Sequence, residues 1–280
     1  MPTDAEEAAR IYFLPNLMTA LNLFSGFIAV IKCIQAKFAA TSIEFGHEVA
    51  KSPSQLYEEA VWFILAAVIF DSLDGRLARL GGRESLFGKE FDSLADIVSF
   101  GMAPALMVFF LILAPTEQFP FFRQLGWMIG FIYLLCAAVR LARFNVITNP
   151  LLQNIDISPD FRGLPVPAAA GLISSLVLVV NRMELRTLTL LLPLLLVLTS
   201  FLMVSNIRYP SFKKIGWNMQ VKFRTFIAVL MVLGLVYLYH YITFALIFIA
   251  YLFYGIIRHL RTKAQNQNNN PDNFNDLLQS

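Results

Sequence analysis

Charged side chains are scarce in this chain of 280 residues. Asp, Glu, Lys and Arg together make up only 15% of it, against roughly 25% in soluble proteins. Hydrophobic residues make up 57%, and the mean hydropathy is +0.62. A soluble domain with so little charge would expose large apolar patches. The composition therefore excludes an ordinary soluble protein and indicates one embedded in a membrane.

Cysteines are few, and a cleavable leader is not evident. Cys33 and Cys136 fall at or in apolar runs, and they lack the spacing of metal ligands or of a disulfide framework. We therefore interpret both as packing residues. The first ten residues, MPTDAEEAAR, are acidic, whereas a signal peptide begins with positive charge. We expect the first apolar run to stay in the protein.

Apolar runs long enough to cross a bilayer as helices follow one another along the chain. Roughly 17–25 residues are sufficient for one crossing. We predict an all-α, polytopic membrane bundle of about eight helices, with six plus an interfacial pair as the alternative. The predicted helices cover residues 14–34, 58–80, 90–114, 124–146, 165–181, 187–205, 224–240 and 242–258.

The distribution of Lys and Arg predicts the orientation of this bundle. With the N-terminus in the cytoplasm, most of the 22 basic residues fall in cytoplasmic segments, as the positive-inside rule requires. Both termini are then cytoplasmic, and residues 36–57 form an outside loop. The predicted divisions are an N-terminal segment 1–13, a transmembrane core 14–205, a basic cytoplasmic loop 206–223, a C-terminal helical hairpin 224–258 and an Asn/Gln-rich disordered tail 264–280.

Four aspartates interrupt the apolar pattern. Asp71 and Asp74 lie near the end of one predicted helix, and Asp92 and Asp96 lie near the start of the next. Spacings of three and four place each pair on one helix face. An intramembrane carboxylate costs at least about 2.5–3.5 kcal/mol, and Mg²⁺ or Mn²⁺ would offset that cost through the oxygen ligands it prefers. Four carboxylates are enough for two ions.

Small and basic residues accompany the aspartates. Gly75, Ala78 and Arg79 share the face of the first pair, and Gly88 shares that of the second. Gly and Ala leave room for a bulky ligand, while an Arg guanidinium offers a phosphate a forked donor. The segment indicates metal-assisted chemistry on a phosphorylated substrate. An ion or proton transporter is the alternative from another class, because buried carboxylates also bind transported ions.

The spacing from Asp71 to Asp96 resembles the motif of the CDP-alcohol phosphatidyltransferase family, Asp-x2-Asp-Gly-x2-Ala-Arg-x8-Gly-x3-Asp-x3-Asp, at all eight fixed positions. The resemblance implies a core of six transmembrane helices, to which the last two predicted helices are added, and a homodimer. Flanking segments resemble the serine-using branch of the family; they lie at 14–27, 92–105, 140–145, 161–171 and 205–213.

This resemblance implies transfer of the phosphatidyl group of CDP-diacylglycerol to L-serine, with release of CMP. Glycerol phosphate, inositol phosphate and choline remain alternative acceptors, because the core motif contacts only the shared CDP-lipid. None of the fixed positions of the motif is a Ser, Cys or His nucleophile, so direct displacement is expected. We expect the enzyme in a bacterial inner (cytoplasmic) membrane, with its site facing the cytoplasm, in contact with lipid and without a nucleic-acid partner.

The resemblance also implies roles for single residues. Asp71, Asp74 and Asp92 would bind metal, and Asp96 would be both a ligand and the catalytic base. The residues expected to contact the CDP-lipid are Gly75, Ala78, Arg79 and Gly88, with Asn16 and Thr19 as further candidates. The serine carboxylate needs a cation, and the candidates for binding serine are Arg143 and Arg208, together with Asn145, Asn206, Arg140 and Arg162.

Overall fold

The structure is a computed structural model that describes residues 13–80, 86–114, 122–147, 161–183, 189–209 and 240–268. Nearly all of the predicted helix at 224–240, most of the basic loop at 206–223 and the end of the predicted tail lie outside these residues. Within them, the helices are α1 (Phe13–Glu44), α2 (Pro53–Leu80), α3 (Leu86–Leu113), α4 (Phe122–Ile147), α5 (Val166–Arg182), α6 (Leu191–Val204) and α7 (His240–Asn268).

Four of these helices, α1, α3, α4 and α7, contain stretches that are long and apolar enough to cross a membrane. The described residues are otherwise helical or in short connections, except for one pair of two-residue strands. The strands β1 (Phe161–Arg162) and β2 (Arg208–Tyr209) pair antiparallel. They join the segment before α5 to the segment after α6. These helices confirm the prediction of an all-helical, polytopic membrane protein, whereas the predicted number of eight crossings stays a prediction.

The ends of several helices differ from their predicted positions. α1 continues to Glu44 and α2 begins at Pro53, so the predicted outside loop of 36–57 shrinks to residues 45–52. Buried Ala36 and Tyr57 extend the contact between the two helices beyond their most apolar runs. α7 continues to Asn268, into the predicted tail, because Ala and Gln are good enough helix formers to prolong an established helix.

α3 changes from α to π geometry directly after Asp96. The π segments span Ile97–Met102 and Phe109–Leu113. The backbone N–H of Ala103 donates to the carbonyl oxygen of Val98, five residues back. Pro104 has no N–H to donate, and its ring displaces the preceding turn of a regular α-helix, which accounts for the wider turn before it. Short π segments of this kind often occur at functional sites.

Small residues allow α1 to lie close to its neighbours. α1 packs along α2 and also against α3, with Ala29 and Cys33 fully buried. Gly26 faces Ser99 of α3, and a Cβ atom at position 26 would overlap the Ser99 side chain. Close approach through small side chains is typical of helix packing in membranes. α1 therefore reaches both of the helices that contain the aspartates.

Candidate metal and substrate site

Three of the four aspartates converge where α2 ends and α3 begins. Asp71 and Asp74 of α2 and Asp92 of α3 each present one carboxylate oxygen, and these oxygens lie within 4.8 Å of one another. Asp74 is buried, whereas the other two are half-buried. Three carboxylates this close repel one another, and a low-dielectric setting strengthens that repulsion. Hard anionic oxygens are the ligands that Mg²⁺ and Mn²⁺ prefer, so the donor set fits such an ion.

Asp96 lies beside this group and has a different set of contacts. It occupies the last α-helical position of α3 before the π segment and is 5% exposed. Its Oδ1 atom accepts a hydrogen bond of 3.0 Å from Nδ2 of Asn22. Asp71 and Asp92 interact with it electrostatically. Asp96 thus differs from the three clustered carboxylates, because one of its oxygens accepts a hydrogen bond from the Asn22 amide.

α1 supplies polar contacts to two of the aspartates. The Thr19 hydroxyl lies 3.1 Å from Oδ2 of Asp74 and donates to it, while Asn22 donates to Asp96. The Ser99 hydroxyl donates to the backbone carbonyl oxygen of Asn22 at 2.8 Å, which fixes this turn of α1 against α3. Thr19 was predicted as a contact of the CDP-lipid, and the structure places its hydroxyl on a candidate metal ligand.

Asn22 is a site residue that the sequence analysis missed. It is fully buried, and an Asn in an apolar helix is costly unless its amide is hydrogen-bonded. It also lies three residues after Thr19, on the same face of the helix. These two signals together would have identified it.

The polar candidates for binding serine come from α4 and from the segment before β2. Nη2 of Arg143 donates to Oδ1 of Asn206 at 2.9 Å. Nδ2 of Asn145 donates to the Ser93 hydroxyl at 2.9 Å, which links α4 to α3 one residue after Asp92. These side chains therefore connect α4 to α3 and to the segment before β2.

Of the two predicted serine-binding arginines whose side chains the structure describes, Arg140 is the one that interacts with the acidic residues. It is 7% exposed, and it interacts electrostatically with Asp96, Asp71 and Tyr251. Its guanidinium carbon lies 6.0 Å from the centre of the Phe144 ring. A buried guanidinium is costly without opposite charge nearby, and the carboxylates supply that charge.

The remaining candidates lie around the same end of the bundle. Gly75, Ala78 and Arg79 occupy the last two turns of α2, and Gly88 and Asn16 lie in the first turns of α3 and α1. The backbones of Arg162 and Arg208 are paired in the two-stranded sheet. Gly75, Ala78, Arg79 and Gly88 thus lie within two helical turns of an aspartate along the chain.

Comparison with known proteins gives matches over most of the chain. The family model described as CDP-alcohol phosphatidyltransferase matches residues 12–204. The CDP-diacylglycerol–serine O-phosphatidyltransferase of Helicobacter pylori is 38% identical over 253 residues, which cover 89% of this chain and 92% of the relative. The archaetidylserine synthase of Methanothermobacter thermautotrophicus is 34% identical over 205 residues, which cover 72% of each chain.

Proposed function

Because the chain belongs to the CDP-alcohol phosphatidyltransferase family, we propose that it transfers the phosphatidyl group of CDP-diacylglycerol to the hydroxyl of L-serine. The products are phosphatidylserine and CMP. The choice of serine is supported by relatives that cover most of the chain and are named for serine transfer or archaetidylserine synthesis. The observation that carries the chemistry is the group of three carboxylates with Asp96 beside it.

In this proposal, Asp71, Asp74 and Asp92 hold Mg²⁺ or Mn²⁺, and Asp96 completes a site for two ions. Bound divalent cations offset the charge of the donor diphosphate and stabilise CMP as it leaves. The proximity of the three carboxylate oxygens supports this assignment. Thr19 helps to fix Asp74 through its hydroxyl.

We assign the binding of CDP-diacylglycerol, the phosphatidyl donor, to residues around the aspartates and call this part of the site the donor end. Gly75, Ala78 and Gly88 leave space for the CDP part of the lipid, and Arg79 binds one of its phosphates. Asn16 is a further candidate at the start of α1. The support for this assignment is their position on the turns that flank the acidic group.

Asp96 is the proposed base. Asn22 holds Oδ1 through its amide, and the second carboxylate oxygen is the one proposed to accept the proton of the serine hydroxyl. The hydroxyl oxygen bonds to the lipid-linked phosphorus, the bond from phosphorus to the CMP oxygen breaks, and CMP leaves with the electron pair. Because none of the fixed positions of the motif is Ser, Cys or His, a single direct displacement is proposed.

The proposed setting is a bacterial inner membrane, crossed about eight times, with both termini and the site on the cytoplasmic side. A homodimer and the domain divisions predicted above are part of the same proposal, except that the polar tail begins after α7, which ends at Asn268. Basic residues near the site, including Arg76 and Lys89, support the orientation through the positive-inside rule.

The test is CMP release by the purified protein with CDP-diacylglycerol and Mg²⁺ or Mn²⁺. The acceptors compared are serine, glycerol 3-phosphate, inositol phosphate, choline and none, with Asp96→Asn as the inactive control. Release that requires serine, metal and Asp96 supports the proposal. Release with another acceptor refutes serine and keeps the reaction class. Folded protein that releases no CMP, but conducts ions across vesicles in an aspartate-dependent manner, would indicate a transporter.

A further inference from the structure

α7 lies beyond the residues that the family model matches, which end at 204, yet it packs against the core at several points. The Phe248 ring lies against Gly171 of α5, and Gly255 lies against the ring of Tyr209 in β2. Each contact leaves no room for a Cβ atom on the glycine. Phe244 meets Trp62 of α2 edge to face, with ring centres 5.8 Å apart. α7 is therefore fitted closely to the bundle.

Tyr251 lies on the packed face of α7. It follows Phe248 by three residues and precedes Gly255 by four, so the three share one helix face. The Tyr251 ring lies 5.8 Å from the Tyr209 ring, and Tyr251 interacts electrostatically with Arg140 of α4. Tyr254, by contrast, is 59% exposed. Tyr251 thus interacts with the buried arginine, whereas Tyr254, three residues further along the helix, is exposed.

The chemistry of serine explains what this arrangement could do. Only two carbon atoms separate its hydroxyl from its carboxylate, so a cation that holds the carboxylate must lie close to the group that takes the hydroxyl proton. Arg140 interacts with Asp96, the proposed base. A phenol can accept a hydrogen bond from a guanidinium and carries no charge. Such a contact would orient the guanidinium without adding a negative charge to those of Asp96 and Asp71, which already interact with Arg140.

We propose that Tyr251 is a positioning residue that orients Arg140 towards the carboxylate of the acceptor. α7 then forms one wall at the acceptor end of the site, although it lies outside the family core. This inference rests on the proposed function, because it takes serine as the acceptor.

The experiment compares Tyr251→Phe with two matched controls in the full-length purified protein. Tyr254→Phe removes an exposed hydroxyl from the same helix. Tyr209→Phe removes a buried hydroxyl from the neighbouring ring, and this hydroxyl has no hydrogen-bond partner among the described residues. Burial raises the pKa of Tyr209 to about 12, so this control also removes only a neutral group. Serine KM, kcat and the KM of CDP-diacylglycerol are measured for each.

We expect Tyr251→Phe to raise the serine KM about tenfold, because the contact proposed between the Tyr251 hydroxyl and the Arg140 guanidinium would be worth about one hydrogen bond to a charged group. The KM of CDP-diacylglycerol should stay unchanged. Both controls should stay within about twofold of wild type. A serine KM that is the same in Tyr251→Phe and Tyr254→Phe overturns the proposal. An equal rise in Tyr209→Phe also overturns it, because it would indicate a packing effect of the tyrosine pair.

A double variant tests whether Tyr251 acts through Arg140. If it does, Tyr251→Phe adds no further rise in serine KM to Arg140→Lys, whereas independent effects multiply. The acceptor that the wild-type protein uses distinguishes a failure of the Tyr251 inference from a failure of the proposed function. Serine-dependent CMP release with an unchanged KM in Tyr251→Phe overturns the inference alone. A wild-type protein that uses another acceptor refutes the proposed function, and with it the serine carboxylate as the group that Arg140 binds.

Discussion

Replacing Asn22 with Leu should remove the hydrogen bond that fixes one oxygen of Asp96 while keeping the branched shape of the side chain. The bond measures 3.0 Å, and Asn22 is fully buried, so water cannot readily replace the lost amide. A hydrogen bond to a charged group contributes about 1.5–3 kcal/mol, and 1.36 kcal/mol corresponds to a factor of ten in rate. We therefore expect kcat/KM for serine to fall roughly ten- to a hundredfold.

CMP release measures this effect, and binding of CDP-diacylglycerol reports whether the donor end is intact. Asn181→Leu is the matched control, because its amide donates to the Ser54 carbonyl oxygen at 2.9 Å and is exposed. The hydroxyl of Ser99 still finds the backbone carbonyl of residue 22, so α1 should keep its place. Wild-type kcat/KM in Asn22→Leu would refute the role of the amide in holding Asp96.

Three further changes probe separate parts of the site. Asp92→Asn, which removes one of three converging charges, should raise the Mg²⁺ or Mn²⁺ concentration needed for half-maximal CMP release at least about tenfold; an unchanged metal titration would exclude Asp92 as a ligand. Gly26→Ala would overlap Ser99 and should lower stability by about 1–3 kcal/mol, read from thermal unfolding in detergent; unchanged stability would refute the close contact. Arg143→Ala breaks the bond to Asn206 and should raise the serine KM; an unchanged KM would exclude Arg143 from serine binding.

The group of aspartates could be predicted from the sequence because it depends on residue spacing within a short segment. Carboxylates are costly in an apolar helix, and spacings of three and four place each pair on one face. The sequence GGRES at 81–85 predicts a helix break, and a short turn there would place the two faces beside each other. The structure places oxygens of Asp71, Asp74 and Asp92 together, as that reasoning predicted. The helical class followed from the lengths of the apolar runs for the same reason.

Contacts between residues that are distant in the sequence could not be predicted from local spacing. Asn22 donates a hydrogen bond to Asp96, which lies 74 residues further along the chain. Tyr251 interacts electrostatically with Arg140 and belongs to a helix that contains no recognised motif. Neither residue belongs to a local pattern that specifies its partner. The π turn after Asp96 depends on how α3 packs around Pro104 and against α1, which hydrophobic periodicity does not record. The ends of α1 and α2 differ from prediction because packing between them prolongs both helices beyond their apolar runs.

The placement of the acidic group in the first three helices has a consequence for how the protein is made. Domains and helices emerge from the ribosome in order, N-terminal first. Asp71, Asp74 and Asp92, with the α1 residues that contact the site, are all synthesised before α4 supplies Arg140 and long before α7. The group of carboxylates therefore enters the membrane while its later neighbours are still missing. During that interval, Asp71 and Asp96 lack the buried guanidinium that interacts with them in the finished bundle.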